Sequence, residues 1–413
     1  MNKLNELIDR VAGKFLRQGE VGDTEQYHQH EFNGKKDFKA MFGSEKKKFS
    51  ACFMFLGEYV EEVAPGELTW YDSREKKPDR LPEYRLRYKG NFIQKHAKAG
   101  DTLIIALLKD AAARQVGAEV LVIVCAQDSG DRDALCWLFG LNPDTMELGF
   151  DVRNEEDIGE VKVGPAARDI LSQIGIEAGG TNDDLLQGML DRFNGVLPST
   201  KDFSAFVREK ILLPASASPD TVLAEWVSQE ELLFEMFQRR QIEQELDKGF
   251  LGEDRASKFL AFAKRINNQR KSRAGLALEH QFEALLKRRG NIRYARGVVT
   301  EGKSKPDFLF PGKHEYDDPF FPESRLTMLG AKTTAKDRWR QILAEANRVR
   351  NKHLLTMQTG ISTDQITQMI VEHSVTPVMP EEIRQTYSNE NQGRIMTVSE
   401  FLELVEARQK NTF

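Results

Sequence analysis

Cysteine is scarce: the 413 residues contain three, Cys52, Cys125 and Cys136, none in CxxC spacing and each among apolar neighbours. That argues against a disulfide framework or a thiolate zinc site and reads as buried free thiols. Long apolar runs are also missing. The longest, residues 102–108 and 120–126, are strand-sized and fall far short of the ~20 residues of a membrane-spanning helix, so no membrane partner is expected. The opening MNKLNELIDRVAGKFLRQ has neither the apolar stretch nor the small-residue cleavage site of a secretory signal. It reads as an amphipathic helix, and a cytoplasmic protein is the expectation. Neither sign of charge dominates, the net being only -5, so whole-molecule electrostatics points to no particular partner. Repeats and low-complexity segments are absent, which disfavours solenoids and disordered chains.

What is present is a globular composition, 40% apolar and 30% charged, in a chain long enough for two or three domains. Up to about Leu141 the runs FSACFMFLGEY, ELTWYDS, YRLRYKG, DTLIIALLKD and AEVLVIVCA alternate with turn signals, predicting a mostly β domain. Residues 144–210 are mixed, with helical stretches at VGPAARDILSQIG and DLLQGMLDRF around the break EAGGTNDD. ILLPASASPD is the expected linker, which sets the domains at 1–210 and 221–413 with 211–220 between them. Beyond it, residues 221–249 read as one long helix or two short ones, SKFLAFAKRIN as another and RAGLALEHQFEALLKRRG as a third that ends at Gly290. IRYARGVV, PDFLFP, TMLGAKTT, KHLLTMQ and TPVMP are strand-like and alternate with helices, which predicts an α/β sheet. Between Lys264 and Lys305 twelve bases face three acids. That surplus is either a phosphate-binding patch or a solvated helix face.

The chemistry concentrates in SKPDFLFP and LGAKTTAKDRWRQILAEANR. Pro306 biases Lys305 towards extended backbone, Asp307 opens one apolar strand, and Lys332 ends another. In a mixed sheet two such adjacent ends place a carboxylate and an ammonium within reach of one phosphate. A helix is expected from Thr334, closed by Asp337 in a capping box, to about Arg350. On it Glu345 shares a side with Gln341 and Arg338 and points back at the same place. Phosphodiester hydrolysis needs a divalent ion, hard oxygen ligands and a cation near the attacking water. Asp307, Glu345 and Lys332 supply these, and Glu279 is a fourth candidate. The structural alternatives are a turn Asp and solvated Glu side chains. Lys336, Asp337 and Arg338 occupy a helix start that can enter a major groove, where Arg matches guanine and Asp accepts from cytosine. From the sequence alone, helix capping is the preferred reading of that triplet.

RKSRAGLALEHQFEALL, TEGKSKPDFLFPGKHEYDD and MLGAKTTAKDRWRQILAEANR resemble the catalytic domain of the EcoRII family of restriction endonucleases. The likeness is close over residues 269–358 and looser to the end. It implies a carboxy-terminal α/β PD-(D/E)xK nuclease core lacking the usual acid two residues before the Lys. Gly330 stands there, and Glu345 is the displaced carboxylate. By this resemblance Asp307 and Glu345 hold Mg²⁺, Lys332 orients or polarises water, Glu279 is the additional helix acid, and Tyr316 matches an active-site tyrosine. Lys336, Asp337 and Arg338 match the family's reading triplet for outer C·G pairs, which reverses the preference for capping.

The amino-terminal part resembles, more thinly, that family's B3-like pseudobarrel, a mostly β effector domain that binds a second DNA copy. GDTEQYHQHEFNG and YRLRYKGN correspond to its contact arms and WYDSR to the strand between. Thr24, Gln26, His28, His30, Arg74, Arg85, Arg87 and Lys89 are then DNA contacts. His28 and His30 lack the further ligand a zinc site needs. The family's arginine cluster after the linker has no counterpart around residues 226–232, which puts effector coupling in doubt. The implied protein is a type IIE Mg²⁺-dependent endonuclease. It would act as a homodimer on double-stranded DNA at a short C·G-bounded site, with CCWGG as the default and a cytosine methyltransferase as companion. The rivals are a modification-dependent nuclease and a catalytically silent DNA-binding regulator.

Overall fold

The computed structural model describes residues 3–21, 31–33, 36–58, 60–76, 79–89, 93–159, 164–176, 183–252 and 254–410. It divides into two compact units. The first comprises residues 1–178, 359–364 and 386–388, the second 179–358, 365–385 and 389–413. The division falls after Ala178, not at Lys210. The reason is packing: Leu185, Met189, Phe203, Phe206 and Val207 share a core with Leu233, Phe234 and Phe237 of the following helix. The intervening stretch is also shorter than expected, because Ser218 caps, and Pro219 starts, the helix Pro219–Lys248.

The first unit is built on an eight-stranded sheet. Its strands are β1 (Ile8–Phe15), β2 (Glu31–Asn33), β3 (Lys47–Leu56), β4 (Glu61–Asp72), β5 (Tyr84–Tyr88), β6 (Thr102–Leu108), β7 (Val120–Cys125) and β8 (Asp151–Arg153), ordered β2-β5-β4-β3-β7-β6-β1-β8. Only β3 and β7 pair in parallel. Side chains alternate between two cores: Leu121, Ile123 and Cys125 join one, and Val120, Val122 and Val124 join the other. A strand buried on both faces needs no polar alternation, which is why TLIIALL and VLVIVC are continuous apolar runs. All three cysteines are free thiols.

The expected amino-terminal helix is instead a short 3₁₀ turn, Leu4–Glu6, followed by β1. Ile8 and Val11 both enter the first core although three residues apart, because the register against β6 shifts between Ile8 and Arg10. A bulge adds one residue and restores the face, so an odd apolar spacing that imitates a helix is accommodated in a strand.

In the second unit, helix Arg255–Arg289 merges the two separate helices expected there. Six strands follow: β9 (Ala295–Arg296), β10 (Phe308–Phe310), β11 (Thr327–Ala331), β12 (Lys352–Leu355), β13 (Val375–Met379) and β14 (Met396–Thr397), ordered β14-β13-β12-β11-β10-β9. β9, β10 and β11 pair antiparallel and β11 to β14 parallel, giving a mixed sheet. One core packs Leu278, Phe282 and Leu285 of the long helix and Phe401, Leu402 and Val405 of helix Val398–Lys410 on Phe308, Phe310 and Leu329. Buried Asp220 caps that last helix through the N–H groups of Val398 and Ser399 at 2.9 and 3.2 Å.

The basic stretch does not form one unpaired patch. Arg270 pairs with Glu235, Arg289 with Glu406, Arg293 with Glu315, and Arg296 with Glu279 and Glu283.

Candidate active site

β10 and β11 run antiparallel with Phe308 opposite Leu329, so the residue entering β10 meets the residues leaving β11. Asp307 Oδ2 accepts from the Ala331 N–H and from Lys332 Nζ, both at 2.7 Å. Each side chain of this ion pair is about 15% exposed or less, enough shielding for the charges to act strongly on what lies beside them. The Lys332 N–H donates to Leu355 O at 2.9 Å, which fixes the root of the side chain to β12.

Glu345 arrives by a different route from the one expected. The helix from Thr334 stops after Ala335–Arg338, a 3₁₀ segment covers Trp339–Ala344, and Glu345 is extended at its end. No helix reaches Arg350, so the shared helical side of Arg338, Gln341 and Glu345 does not form. Backbone groups that would continue a helix are taken by tertiary partners. Ser304 Oγ donates to Ala344 O at 3.2 Å, Arg348 N–H donates to Tyr316 Oη at 3.3 Å, and Lys352 Nζ donates to Glu345 O. The Thr334 hydroxyl makes no capping bond; Gln358 Oε1 accepts from the N–H groups of Ala335 and Lys336 instead, at 2.6 and 3.0 Å.

The 3₁₀ segment sets the site through Gly330. A Cβ at this position would lie 2.6 Å from Ile342 Cγ2, and Ile342 is fully buried. No acid fits at Gly330 without displacing the segment that delivers Glu345. Gly330→Ala is expected to cost about 1–3 kcal/mol through overpacking, read as a lower Tm that Ile342→Ala partly restores; an unchanged Tm would reject the contact.

Three carboxylates share this end of the sheet. Glu345 is pushed up to about 7, first by burial, with Lys332 opposing and Asp307 adding to the rise. Its Oε2 is buried and has no hydrogen-bond partner among the described residues, an arrangement that suits a cation. Glu279 is also raised, chiefly by burial, and feels both Asp307 and Lys332. Its Oε2 is held by Arg296 at 2.9 Å, so it is already paired. Arg296 bridges further to Glu283 at 2.8 Å and donates to Nδ1 of His280 at 2.9 Å; burial, then Arg296, lowers that imidazole to about 4. Among the described residues no group of three His, Cys, Asp or Glu side chains is gathered as a ready-made cation cage.

Tyr316 is buried; its hydroxyl donates to Glu301 at 2.5 Å, and its ring lies under Arg348. Burial and then Glu301 push this phenol up. Lys336 and Arg338 stand in the short helix after β11 with Arg338 exposed; the Asp337 side chain lies outside the described residues.

In the first unit Thr24, Gln26, His28 and His30 lie outside the described residues. Arg74 pairs with Glu83, Arg85 with Glu31 and Glu83, and Lys89 with Glu67 at 3.1 Å, while Arg87 is exposed on β5. Sequence reasoning counted Arg296 as one base of a patch and passed over Lys352, Arg348 and Gln358. Arg296, Arg348 and Gln358 work through partners distant in the chain, and Lys352 through the carbonyls of an irregular loop just before it, neither of which local spacing signals.

An acid-lysine pair at meeting strand ends, with a second, half-buried acid beside it, defines a site able to hold a divalent ion next to an ammonium group. Residues 234–402 match the EcoRII C-terminal family. The type II restriction enzyme EcoRII of Escherichia coli is 38% identical over 187 residues, a match covering 45% of this chain and 45% of that enzyme; the likeness thus spans about half the length of the relative. Among solved structures, metal-depleted Ecl18kI in complex with uncleaved, modified DNA is similar over 56% of this chain and 86% of its own, at 18% identity and a TM-score of 0.43. The complex of restriction endonuclease PspGI with substrate DNA follows at 55%, 93%, 17% and 0.36.

Proposed function

We propose that this protein is a sequence-specific, Mg²⁺-dependent type II restriction endonuclease that cleaves double-stranded DNA. The observation that carries this reading is the Asp307–Lys332 pair beside the unpartnered, buried Oε2 of Glu345, within the domain that matches the EcoRII C-terminal family. Asp307 and Glu345 would hold the ion, the remaining positions falling to water and substrate phosphate as is usual for Mg²⁺. A bound ion supplies Lewis-acid stabilisation of the phosphate and a more acidic water. Lys332, fixed at its root to β12, presents its ammonium to the attacking water and the scissile phosphate. Arg296 keeps the Glu279 carboxylate paired and in place, and Tyr316 ties the Glu301 turn to the loop after Glu345.

Lys336, Asp337 and Arg338 are proposed to read the outer C·G pairs of a short symmetric site, CCWGG by default. A homodimer would present one active site to each strand. The first unit is proposed as a B3-like effector domain binding a second DNA copy; Arg87 is its exposed candidate contact, joined by Arg74, Arg85 and Lys89 once their acid partners exchange for phosphate. No helix among the described residues is long and apolar enough to cross a membrane, and a cytoplasmic enzyme with a cognate cytosine methyltransferase completes the proposal.

The test is digestion of a phage genome with and without Mg²⁺, followed by sequencing of the ends. Discrete Mg²⁺-dependent ends at one motif are expected; binding without cutting would favour a silent regulator, and cutting of methylated DNA alone a modification-dependent nuclease. Arg338→Ala is expected to lose about 1–3 kcal/mol of discrimination at one base pair, measured as relative cutting of sites substituted there. Unchanged preference would remove Arg338 from the reading role.

A further inference from the structure

Lys352 opens β12 and is 6% exposed. A lysine this deeply buried ordinarily pairs with a carboxylate, yet its ammonium is spent on backbone. Nζ donates to the carbonyls of Glu345, Ala346 and Val349, the last two at 3.2 and 3.0 Å. Three N–H groups thus meet three carbonyl oxygens of a single loop. That loop has no helix or strand to stiffen it, and it contains Ala346 at φ 47°, a left-handed conformation that costs free energy unless the surroundings enforce it. From the far side Arg348 donates to the carbonyls of Asp318 and Phe321, both at 2.9 Å. The Lys352 N–H is itself anchored to Ser374 O at 2.9 Å, so the staple is rooted in the sheet.

We propose that Lys352 is a positioning residue for Glu345: its ammonium clamps the turn whose first residue carries that carboxylate, holding it towards Asp307 and Lys332. The inference rests on the nuclease reading for its consequence in cleavage, though not for its consequence in ion binding. A side chain that merely filled space would be replaced without loss by an apolar chain of equal length. A clamp that sets ligand geometry would not be, since an error of about 1 Å in a ligating group is enough to impair a site.

The experiment compares wild type with Lys352→Met, which keeps the chain length and removes every donor, and with Lys352→Gln, which restores a shorter pair of donors. Mn²⁺ affinity by calorimetric titration, specific DNA binding in EDTA and single-turnover cleavage are measured on each. Expected for Lys352→Met are Mn²⁺ binding weakened about tenfold or more and cleavage slowed on the order of 100-fold, with DNA affinity changed less than threefold. Lys352→Gln should fall between it and wild type. Folded Lys352→Met with wild-type Mn²⁺ affinity would overturn the proposal. Should it fail to fold, Lys352→Gln with wild-type Mn²⁺ affinity would do the same. A wild type that binds Mn²⁺ but cuts nothing rejects the nuclease reading and leaves the ion-binding comparison to decide the clamp.

Discussion

Lys332→Ala and Asp307→Ala proteins are each expected to lose DNA cleavage by on the order of 10³-fold or more while still binding their specific site. The two variants act on one contact from opposite sides. Removing the ammonium leaves Asp307 Oδ2 with the Ala331 N–H as its one donor among the described residues; removing the carboxylate takes this acceptor from the ammonium and, on the proposed reading, an ion ligand as well. Breaking so sheltered a pair also costs stability, about 1–3 kcal/mol, so the comparison requires folded protein checked by Tm. On the proposed reading both groups serve the chemical step and not the grip on the duplex, so DNA affinity measured in EDTA should change little. Cutting by either purified, folded variant at near wild-type rate removes that residue from the mechanism. Loss of specific DNA binding in step with loss of cutting would instead point to damage of the docking surface.

This pair was legible because a strand-entering acid and a strand-leaving lysine become neighbours whenever their strands adjoin antiparallel, and the sequence places each at the edge of its apolar run. The route of Glu345 was not legible. Trp339 and Ile342 have helical spacing, but both are buried against the sheet, and Ser304, Tyr316 and Lys352 compete successfully for the backbone beyond them. Tertiary partners override a local preference worth only tenths of a kcal/mol per residue. The same limit explains the amino-terminal strand, where one bulge makes a strand face look like a helix face. It also explains Arg74 and Arg85, whose acid partners Glu31 and Glu83 lie elsewhere in the chain or across a turn. The continuous runs of β6 and β7, by contrast, were legible as strands from their length, and burial on both faces accounts for their lack of polar alternation.

Glu345→Gln is expected to abolish cleavage and yet raise stability at pH 8 in EDTA. The folded carboxyl sits near 7 against an ordinary value of 4.5, burial being the main cause and Asp307 adding to it against the pull of Lys332. Below pH 4.5 the group is protonated in both folded and unfolded chains and contributes nothing. Between 4.5 and 7 the unfolded chain ionises first, so stability drains away as pH rises, and above 7 the full cost is present. The shift corresponds to about 2–3 kcal/mol once partial solvent access is allowed for. A neutral amide of the same shape escapes that cost, so the Tm advantage of the variant should be greatest at pH 8 and vanish towards pH 4.5. Mn²⁺ or Mg²⁺ should reverse the order at pH 8, because binding to the folded state stabilises wild type by mass action and the amide is a poor ligand. The same proton must leave for the ion to bind, so wild-type Mn²⁺ affinity should fall by up to about tenfold per pH unit below 7. If Glu345→Gln melts below wild type at pH 8 in EDTA, or if Mn²⁺ raises both proteins equally, then Glu345 is an ordinary structural acid and the site lacks its second ligand.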